Sequence, residues 1–218
     1  MIEGIFASEL PNRFRAKVLV QGRMVPCYIP TTTKLTSLLP MSGRRVRLVS
    51  GEKGLMLESL FYRNAWIGLN SSMANKVWFA NLAKTCNGLS SLTMERVLEG
   101  YKFDVFDEGT NTAYEVKSII GVKKEVDYPC VHSERMCDQL DRLEAISGLI
   151  NISFILIALS PFVRCVRISD RSPFGCRLKR LVSKGMGLAA YRLCGSISDG
   201  RLESIRVMLN YDVRQRRA

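Results

Sequence analysis

The feature that most constrains the fold is the stretch 103–117, in which two β-forming segments flank a run of turn-forming residues. Residues 103–106 and 113–120 are rich in strand formers, so we expect a β-hairpin. Strands joined by so short a loop run antiparallel. If the turn centres in the middle of that run, the numbers of paired residues sum to about 219, and Asp104 lies opposite Glu115.

Alternation along the second strand places Glu115 and Lys117 on the same face. Two opposed carboxylates repel each other, so folding favours the pair only if a cation lies between them or one stays protonated. A divalent metal is the simplest resolution, because Mg²⁺ binds oxygen ligands and commonly keeps waters and substrate phosphate. With a lysine nearby to stabilise phosphate charge, the pattern predicts phosphodiester hydrolysis. The alternative is a solvated hairpin face without chemistry.

The composition is that of a globular protein in a reducing compartment. The 218 residues suffice for one large or two small domains, and 47% of them are hydrophobic. The longest apolar run, 152–159, is too short to cross a bilayer, and the N-terminal residues lack the pattern of a signal peptide. Seven scattered cysteines without a Cys-x-x-Cys pair do not suggest a disulfide framework. We expect a cytoplasmic protein without membrane association.

The net charge of +12 is distributed unevenly. Residues 1–60 carry 9 Lys or Arg against 4 Asp or Glu, and residues 161–218 carry 13 against 4. Residues 61–160 carry 10 against 12. Two basic flanks around a mildly acidic centre suit a protein that binds a polyanion, because Lys and Arg bind phosphates through charge and counterion release. The alternative is a basic protein with no such partner.

Residues 1–65 are expected to form the first domain. Short β-rich segments separated by turns predict a small barrel, and the OB-fold is the common nucleic-acid-binding barrel of this kind. The predicted strands are 14–20, 24–29, 44–49 and 55–60.

Residues 66–218 are expected to form a second domain of the α/β or α+β class, in which strands alternate with covering helices. The predicted helices are 74–82, a segment that Ser133 caps and Gly148 ends, and a segment around Leu178 that ends at Gly185. Strands are expected at 152–159, 163–168 and 188–193, and residues 92–97 are compatible with helix or strand.

In the order of these segments, the sequence resembles the sugar fermentation stimulation protein A (SfsA) family over nearly its full length, as a divergent member. The most specific match is 114–118, which resembles the family's Tyr-Val-Glu-Val-Lys-Ser and follows 102–105, which resembles Arg-Ile-Asp-Phe. Further matches fall within 12–18, 38–46, 68–75 and 128–140.

The resemblance implies an N-terminal OB-like β-barrel followed by a PD-(D/E)XK nuclease-like mixed sheet flanked by helices. It implies that Asp104 and Glu115 bind Mg²⁺ or Mn²⁺, that the backbone carbonyl of Val116 completes the ligand set, and that Lys117 is the catalytic lysine. It also favours strand over helix for residues 92–97.

The sequence departs from the family pattern at three places. The loop 29–35 replaces the family's Cys-Pro-Asn-Thr-Gly-Ser-Met. Phe79 and Ala80 stand where the family's first helix usually carries glutamates, which a second metal would need. Gln139 ends the segment that replaces the family's Gly-x-Lys-His, so two basic residues are lost and an amide capable of hydrogen bonding is gained.

The leading hypothesis is a DNA-binding, metal-dependent nuclease. The main alternative is a non-catalytic DNA-binding regulator or a subunit of a larger DNA-processing complex, with protein partners there, and RNA is a further possible ligand of an OB-like barrel. Five basic residues are candidates for phosphate contact by charge and loop position: Arg13, Arg15, Lys34, Arg44 and Arg45.

Overall fold

The computed structural model describes residues 1–12, 14–31, 34–52, 54–85, 91–131, 133–195 and 200–209. The N-terminal strands are β1 (Ile2–Glu9), β2 (Arg15–Val20), β3 (Arg23–Tyr28), β4 (Arg45–Gly51), β5 (Gly54–Tyr62) and β6 (Ala65–Gly68). The later strands are β7 (Leu92–Met94), β8 (Val97–Leu98), β9 (Tyr101–Lys102), β10 (Val105–Asp107), β11 (Thr112–Ile119), β12 (Glu125–Asp127), β13 (Asn151–Ala158), β14 (Cys165–Ile168), β15 (Gly187–Cys194) and β16 (Arg201–Leu209). The helices are α1 (Leu35–Leu38), α2 (Met73–Thr85), α3 (Glu134–Ile146) and α4 (Pro173–Ser183).

The N-terminal strands form the OB-like barrel that the sequence predicts. Their order is β3-β2-β1-β4-β5-β6, and a pairing of β3 with β5 closes a five-stranded barrel. Gln21 and Gly22 have φ angles of 47° and 76°, so the tight turn between β2 and β3 has the positive φ values that match the twist of a two-residue hairpin. Alternate residues of β2, such as Ala16 and Val18, are fully buried inside the barrel.

Strand β1, at the centre of the barrel sheet, is missing from the sequence prediction. Its alternation is interrupted because the register with β2 shifts between Phe6 and Ser8. Gly4 also removes one side chain from the inward-facing set, and a Cβ there would lie 2.6 Å from a methyl carbon of Val18. The period-2 signal is therefore weak where the strand is most buried.

The second sheet is mixed and flanked by helices on both faces, as the fold prediction requires. Its order is β12-β14-β16-β15-β13-β11-β10-β7, and β8 with β9 forms a separate small hairpin. Strand β11 lies between antiparallel β10 and parallel β13. Helix α2 packs on one face through Val77 and Trp78, and α3 and α4 pack on the other through leucines such as Leu140 and Leu178.

The hairpin register is confirmed. Strands β10 and β11 pair Val105 with Tyr114 and Phe106 with Ala113, so the residue numbers sum to 219. The predicted first strand is wrong in one respect, because β9 ends at Lys102 and β10 begins at Val105, which leaves Asp104 between them. The sequence prediction also missed strands β6, β12 and β16.

The two sheets contact each other directly. The backbone N–H of Gly68, at the end of β6, donates a 2.8 Å hydrogen bond to the carbonyl of Leu159, which follows β13. The rings of Tyr62 and Phe162 meet edge to face at 5.8 Å. A domain boundary at residues 65 and 66 stays a prediction, and β6, which begins at Ala65, is hydrogen-bonded to β5 of the barrel.

No helix within the described ranges is both long and apolar enough to cross a membrane.

Candidate functional site

Asp104 is fixed to two different elements. Its Oδ1 accepts a 2.6 Å hydrogen bond from the side-chain amide of Asn75, in the first turn of α2. Its Oδ2 accepts a 2.8 Å hydrogen bond from the backbone N–H of Val116 in β11. Because Asp104 lies just outside β10, its carboxylate is able to turn toward the neighbouring strand. The first predicted ligand is therefore held beside the strand that carries the second.

Glu115 is an almost completely buried carboxylate, with 2% of its surface exposed. Its Oε2 accepts a 2.7 Å hydrogen bond from the hydroxyl of Tyr101. Its Oε1 accepts a 2.7 Å hydrogen bond from the side-chain amide of Gln139 in α3 and also contacts the ammonium group of Lys117. Lys117 has 23% of its side chain exposed, so the ammonium connects the buried carboxylate to the protein surface.

The alternation predicted for β11 is confirmed. Glu115 meets α3 through Gln139, whereas Val116 packs in the cluster that contains α2, on the other face of the sheet. Tyr114 also lies on the α2 face, where its ring contacts that of Trp78 at 5.5 Å. The sheet thus has Glu115 on the face that α3 covers, and Tyr114 and Val116 on the face that α2 covers.

Tyr101 and Gln139 brace each other as well as Glu115. The Gln139 amide nitrogen donates a 2.7 Å hydrogen bond to the Tyr101 oxygen, so its two hydrogens serve both neighbours. Burial and the charge of Glu115 raise the pKa of the Tyr101 hydroxyl, which keeps that group protonated as a donor. The three side chains form a closed network in which Glu115 is the common acceptor.

The electrostatics of Glu115 favour a nearby cation. Burial raises the pKa of its carboxyl group, and the charge of Asp104 raises it further, against the opposing effect of Lys117. Lys117 alone therefore does not offset the cost of an ionised carboxylate in this environment. An additional positive charge between Asp104 and Glu115 would stabilise both in their ionised forms.

The donor set suits a hard divalent cation. Two carboxylates and a backbone carbonyl are oxygen ligands, and Mg²⁺ commonly takes only one or two carboxylates and fills its remaining positions with water or phosphate. Across the part of the chain that the structure describes, no cluster of three or more His, Cys, Asp or Glu side chains is placed to hold a metal. Phe79 and Ala80 bring no carboxylate from α2, so the arrangement fits one ion better than two.

Two residues that support the carboxylates were not assigned to the site from sequence. Asn75 lies within a segment that resembles the SfsA family, which is a signal for its position but not for its contact with Asp104. Tyr101 carries no signal, because the contact depends on how β9 is placed beside β11. For Gln139 the sequence indicated only a capacity for hydrogen bonding, and the structure shows its amide donating to Glu115 and Tyr101.

The predicted phosphate-contacting residues are spread over the barrel. Arg44 and Arg45 are adjacent and exposed at the start of β4, and their guanidinium carbons lie 5.4 Å from the Tyr62 ring and 4.8 Å from the Phe61 ring. Arg15 is exposed in β2, two strands away from β4, and Lys34 is exposed just before α1. Arg13 lies outside the described residues.

Comparison with known proteins identifies the fold. The structure of SfsA from Pyrococcus furiosus in complex with Ca²⁺ superimposes with a TM-score of 0.75 and 16% identity, over 94% of this chain and 95% of that one. The chain therefore has an SfsA-like fold, as the sequence resemblance implies. A structure of YjeQ from Thermotoga maritima gives a TM-score of only 0.23 at 15% identity, over 96% of this chain and 75% of that one, and carries no argument. No protein-family model and no curated protein matches the sequence.

Proposed function

We propose that this protein is a metal-dependent phosphodiesterase that acts on DNA, with Asp104, Glu115 and Lys117 as its catalytic residues. The observation that carries the proposal is the geometry around Glu115. A buried carboxylate with a raised pKa lies beside a second carboxylate and contacts a partly exposed lysine. Strongly perturbed ionisable groups held together in this way are typical of catalytic sites.

Asp104, Glu115 and the carbonyl of Val116 would hold Mg²⁺ or Mn²⁺. The SfsA structure with the same fold is a Ca²⁺ complex, which supports a hard divalent cation here. When bound, such an ion lowers the pKa of a coordinated water and polarises a phosphoryl oxygen.

The protein's own groups have separate roles in this scheme. The Lys117 ammonium, on a side chain that is 23% exposed, stabilises negative charge that develops on the phosphate. Tyr101 and Gln139 orient Glu115, and they leave it little rotational freedom because each donates a 2.7 Å hydrogen bond to it. Asn75 and the Val116 N–H do the same for Asp104. The carboxylates are therefore oriented before substrate arrives.

The positive charge of the N-terminal barrel supports a polyanionic substrate. The basic first 60 residues include the exposed Arg15, Arg44 and Arg45, which face solvent on and around the barrel. Positive charge of this kind attracts a phosphate backbone irrespective of sequence.

The six cysteines in the described ranges are free thiols, which supports our expectation that the protein is located in the reducing cytoplasm.

A cleavage assay tests this function. Supercoiled plasmid, single-stranded DNA and RNA are incubated with the protein in Mg²⁺, Mn²⁺ or EDTA. The wild type is expected to cleave DNA only with a divalent cation. Lys117→Ala is expected to fold and bind DNA but not to cleave it. The matched control is Lys123→Ala, which changes an exposed lysine between β11 and β12. Equal cleavage by Lys117→Ala and the wild type would exclude the mechanism.

A non-catalytic DNA-binding role, as a regulator or as a subunit of a DNA-processing complex, is the second candidate. It is favoured by one observation, namely that three donors from Tyr101, Gln139 and Lys117 already occupy the Glu115 oxygens. If this role is correct, the protein binds DNA equally well in EDTA and Mn²⁺ and cleaves none of the three substrates.

A further inference from the structure

One line of side chains crosses the outer surface of the barrel. The register places Leu19 of β2 opposite Ile5 of β1, and Ile5 opposite Arg45 of β4. The Arg45 guanidinium carbon then lies 4.8 Å from the ring centre of Phe61 in β5, which pairs with Trp66 in β6. We name these five residues the outer row, and they span five neighbouring strands.

The apolar end of the outer row is exposed to solvent. Ile5 and Leu19 have 37% and 38% of their surface exposed, although the barrel interior is filled by other residues of the same strands. An open depression of about 340 Å³ lies over them, and its lining also includes Glu3, Gln21 and Arg45. A shallow apolar floor with polar edges is suited to flat, partly apolar ligands.

At the aromatic end of the outer row, arginine side chains pack against the rings. The rings of Phe61 and Trp66 lie 5.1 Å apart, and the guanidinium carbon of Arg47 lies 3.8 Å from the Trp66 ring centre. Glu3 accepts hydrogen bonds of 3.1 Å from Arg45 and from Arg47. The two guanidinium groups are therefore already arranged around one anion, and a phosphate is able to take the place of that carboxylate.

The positive charge around the outer row favours a polyanion over a second copy of this chain. Arg15 and Lys17 are exposed on β2 beside the apolar end, and they add to Arg45 and Arg47. Glu3 forms ion pairs with Arg45 of the row and with the neighbouring Arg47. A second copy of a chain with a net charge of +12 would bring like charges together, whereas a polyanion is attracted.

We infer that the outer row binds single-stranded nucleic acid, with bases on Leu19, Ile5, Phe61 and Trp66 and phosphates on the flanking arginines. A single strand exposes base faces that pack on apolar and aromatic side chains, whereas a duplex hides those faces in its stack. The inference rests on the proposed function for the class of ligand only. Beyond the proposed function, it specifies that the nucleic acid is single-stranded and that it binds on a surface distinct from Asp104 and Glu115.

Fluorescence anisotropy with a labelled 12-nucleotide oligo(dT) and a duplex of equal length tests this surface. All binding is measured in EDTA on the full chain. The double variant Arg45→Ala/Arg47→Ala is expected to bind oligo(dT) about tenfold or more weakly than the wild type. Its control is Lys179→Ala/Arg180→Ala, which removes the same charge from exposed positions in α4 and is expected to stay within about twofold of the wild type.

Tryptophan fluorescence provides a second readout. Trp66 is partly exposed and Trp78 is 5% exposed, so stacked bases are expected to quench Trp66 selectively. Trp66→Phe is expected to retain most of the affinity but lose the quenching. Leu19→Glu changes an exposed side chain and is expected to weaken binding without unfolding the barrel.

Three results would overturn the inference: equal affinity for single strands and duplex, equal binding by the two double variants, or sedimentation that shows a wild-type dimer which Leu19→Glu converts to a monomer. Failure of cleavage is a different outcome. A wild-type protein that binds oligo(dT) through the outer row in EDTA, but cleaves nothing with Mn²⁺, contradicts the proposed function and supports this inference.

Discussion

Asp104 accepts a 2.8 Å hydrogen bond from the backbone N–H of Val116, so the first acidic residue of the site is fastened to the residue next to the second. This contact has a structural consequence. Asp104 directly precedes Val105, which pairs with Tyr114, and the hydrogen bond holds the Asp104 carboxylate against β11. Two like charges are thereby held close together, and Glu115 is buried, an arrangement that a bound cation would stabilise.

Replacing Tyr101 with Phe is expected to weaken both the fold and the site. The change removes the donor to Glu115 Oε2 inside the protein, and a buried acceptor left without its donor costs about 1–3 kcal/mol. Metal affinity is expected to fall about 10- to 100-fold, because the groups that orient a ligand affect binding on that scale. Urea unfolding and Mn²⁺ titration measure the two effects. Tyr62→Phe, in the barrel, is the control and is expected to preserve Mn²⁺ affinity.

The substitution Asn75→Asp is expected to make the stability of the fold dependent on a bound cation. Asn75 donates to Asp104 at 2.6 Å, so Asn75→Asp places a carboxylate against a carboxylate. In EDTA the variant should melt at a lower temperature than the wild type, and Mn²⁺ should raise its melting temperature by more than it raises that of the wild type. Asn75→Ala removes the donor without adding charge and should show no such enhanced response. If Mn²⁺ raises the melting temperatures of the wild type and of Asn75→Asp by the same amount, a cation bound at Asp104 would be contradicted.

The pairing of β15 with β16 is expected to be acid-sensitive through Glu203. Hydrogen bonds from Arg192 first, and from Arg201 second, lower the pKa of Glu203 to about 2 from an ordinary value of 4.5. Because the pKa is lower in the folded state, the ionised carboxylate stabilises the fold above pH 4.5, and this contribution is lost as the pH falls toward 2. Glu203→Gln should therefore melt below the wild type at pH 7, with a difference that shrinks by pH 2. A difference that does not change with pH would contradict this assignment.

Local sequence patterns predicted the strand that carries Glu115 and Lys117 because alternation and turn chemistry act over a few residues. The same reasoning reached the register of β10 with β11, since a short hairpin leaves little freedom in register, whereas the pairing of Asp104 with Glu115 stays a prediction because Asp104 lies just before β10. Helix α3 was predicted from a cap at Ser133 and from its apolar spacing. It begins directly after Ser133, although the Ser133 side chain makes no capping hydrogen bond. Much of the fold could thus be predicted from short-range signals.

The contacts that complete the site depend on distant parts of the chain. Gln139 reaches Glu115 across 24 positions, and Asn75 reaches Asp104 across 29. No local pattern encodes such distances, because they result from how α2 and α3 pack on opposite faces of the sheet. Strand β16 was missed for a related reason, since its residues are mostly half-buried and lack clear alternation.

The central claim is that Asp104 and Glu115 share a divalent cation, and titration calorimetry with Mn²⁺ tests it most directly. The wild type is expected to bind one ion. Asp104→Asn should lose this binding while it stays folded, and Glu108→Gln, an exposed position in the same hairpin, should bind as the wild type does. Lys117→Ala should retain the ion, because the change removes a competing cation from Glu115. Equal Mn²⁺ binding by Asp104→Asn and the wild type, or no binding by either, would contradict the account.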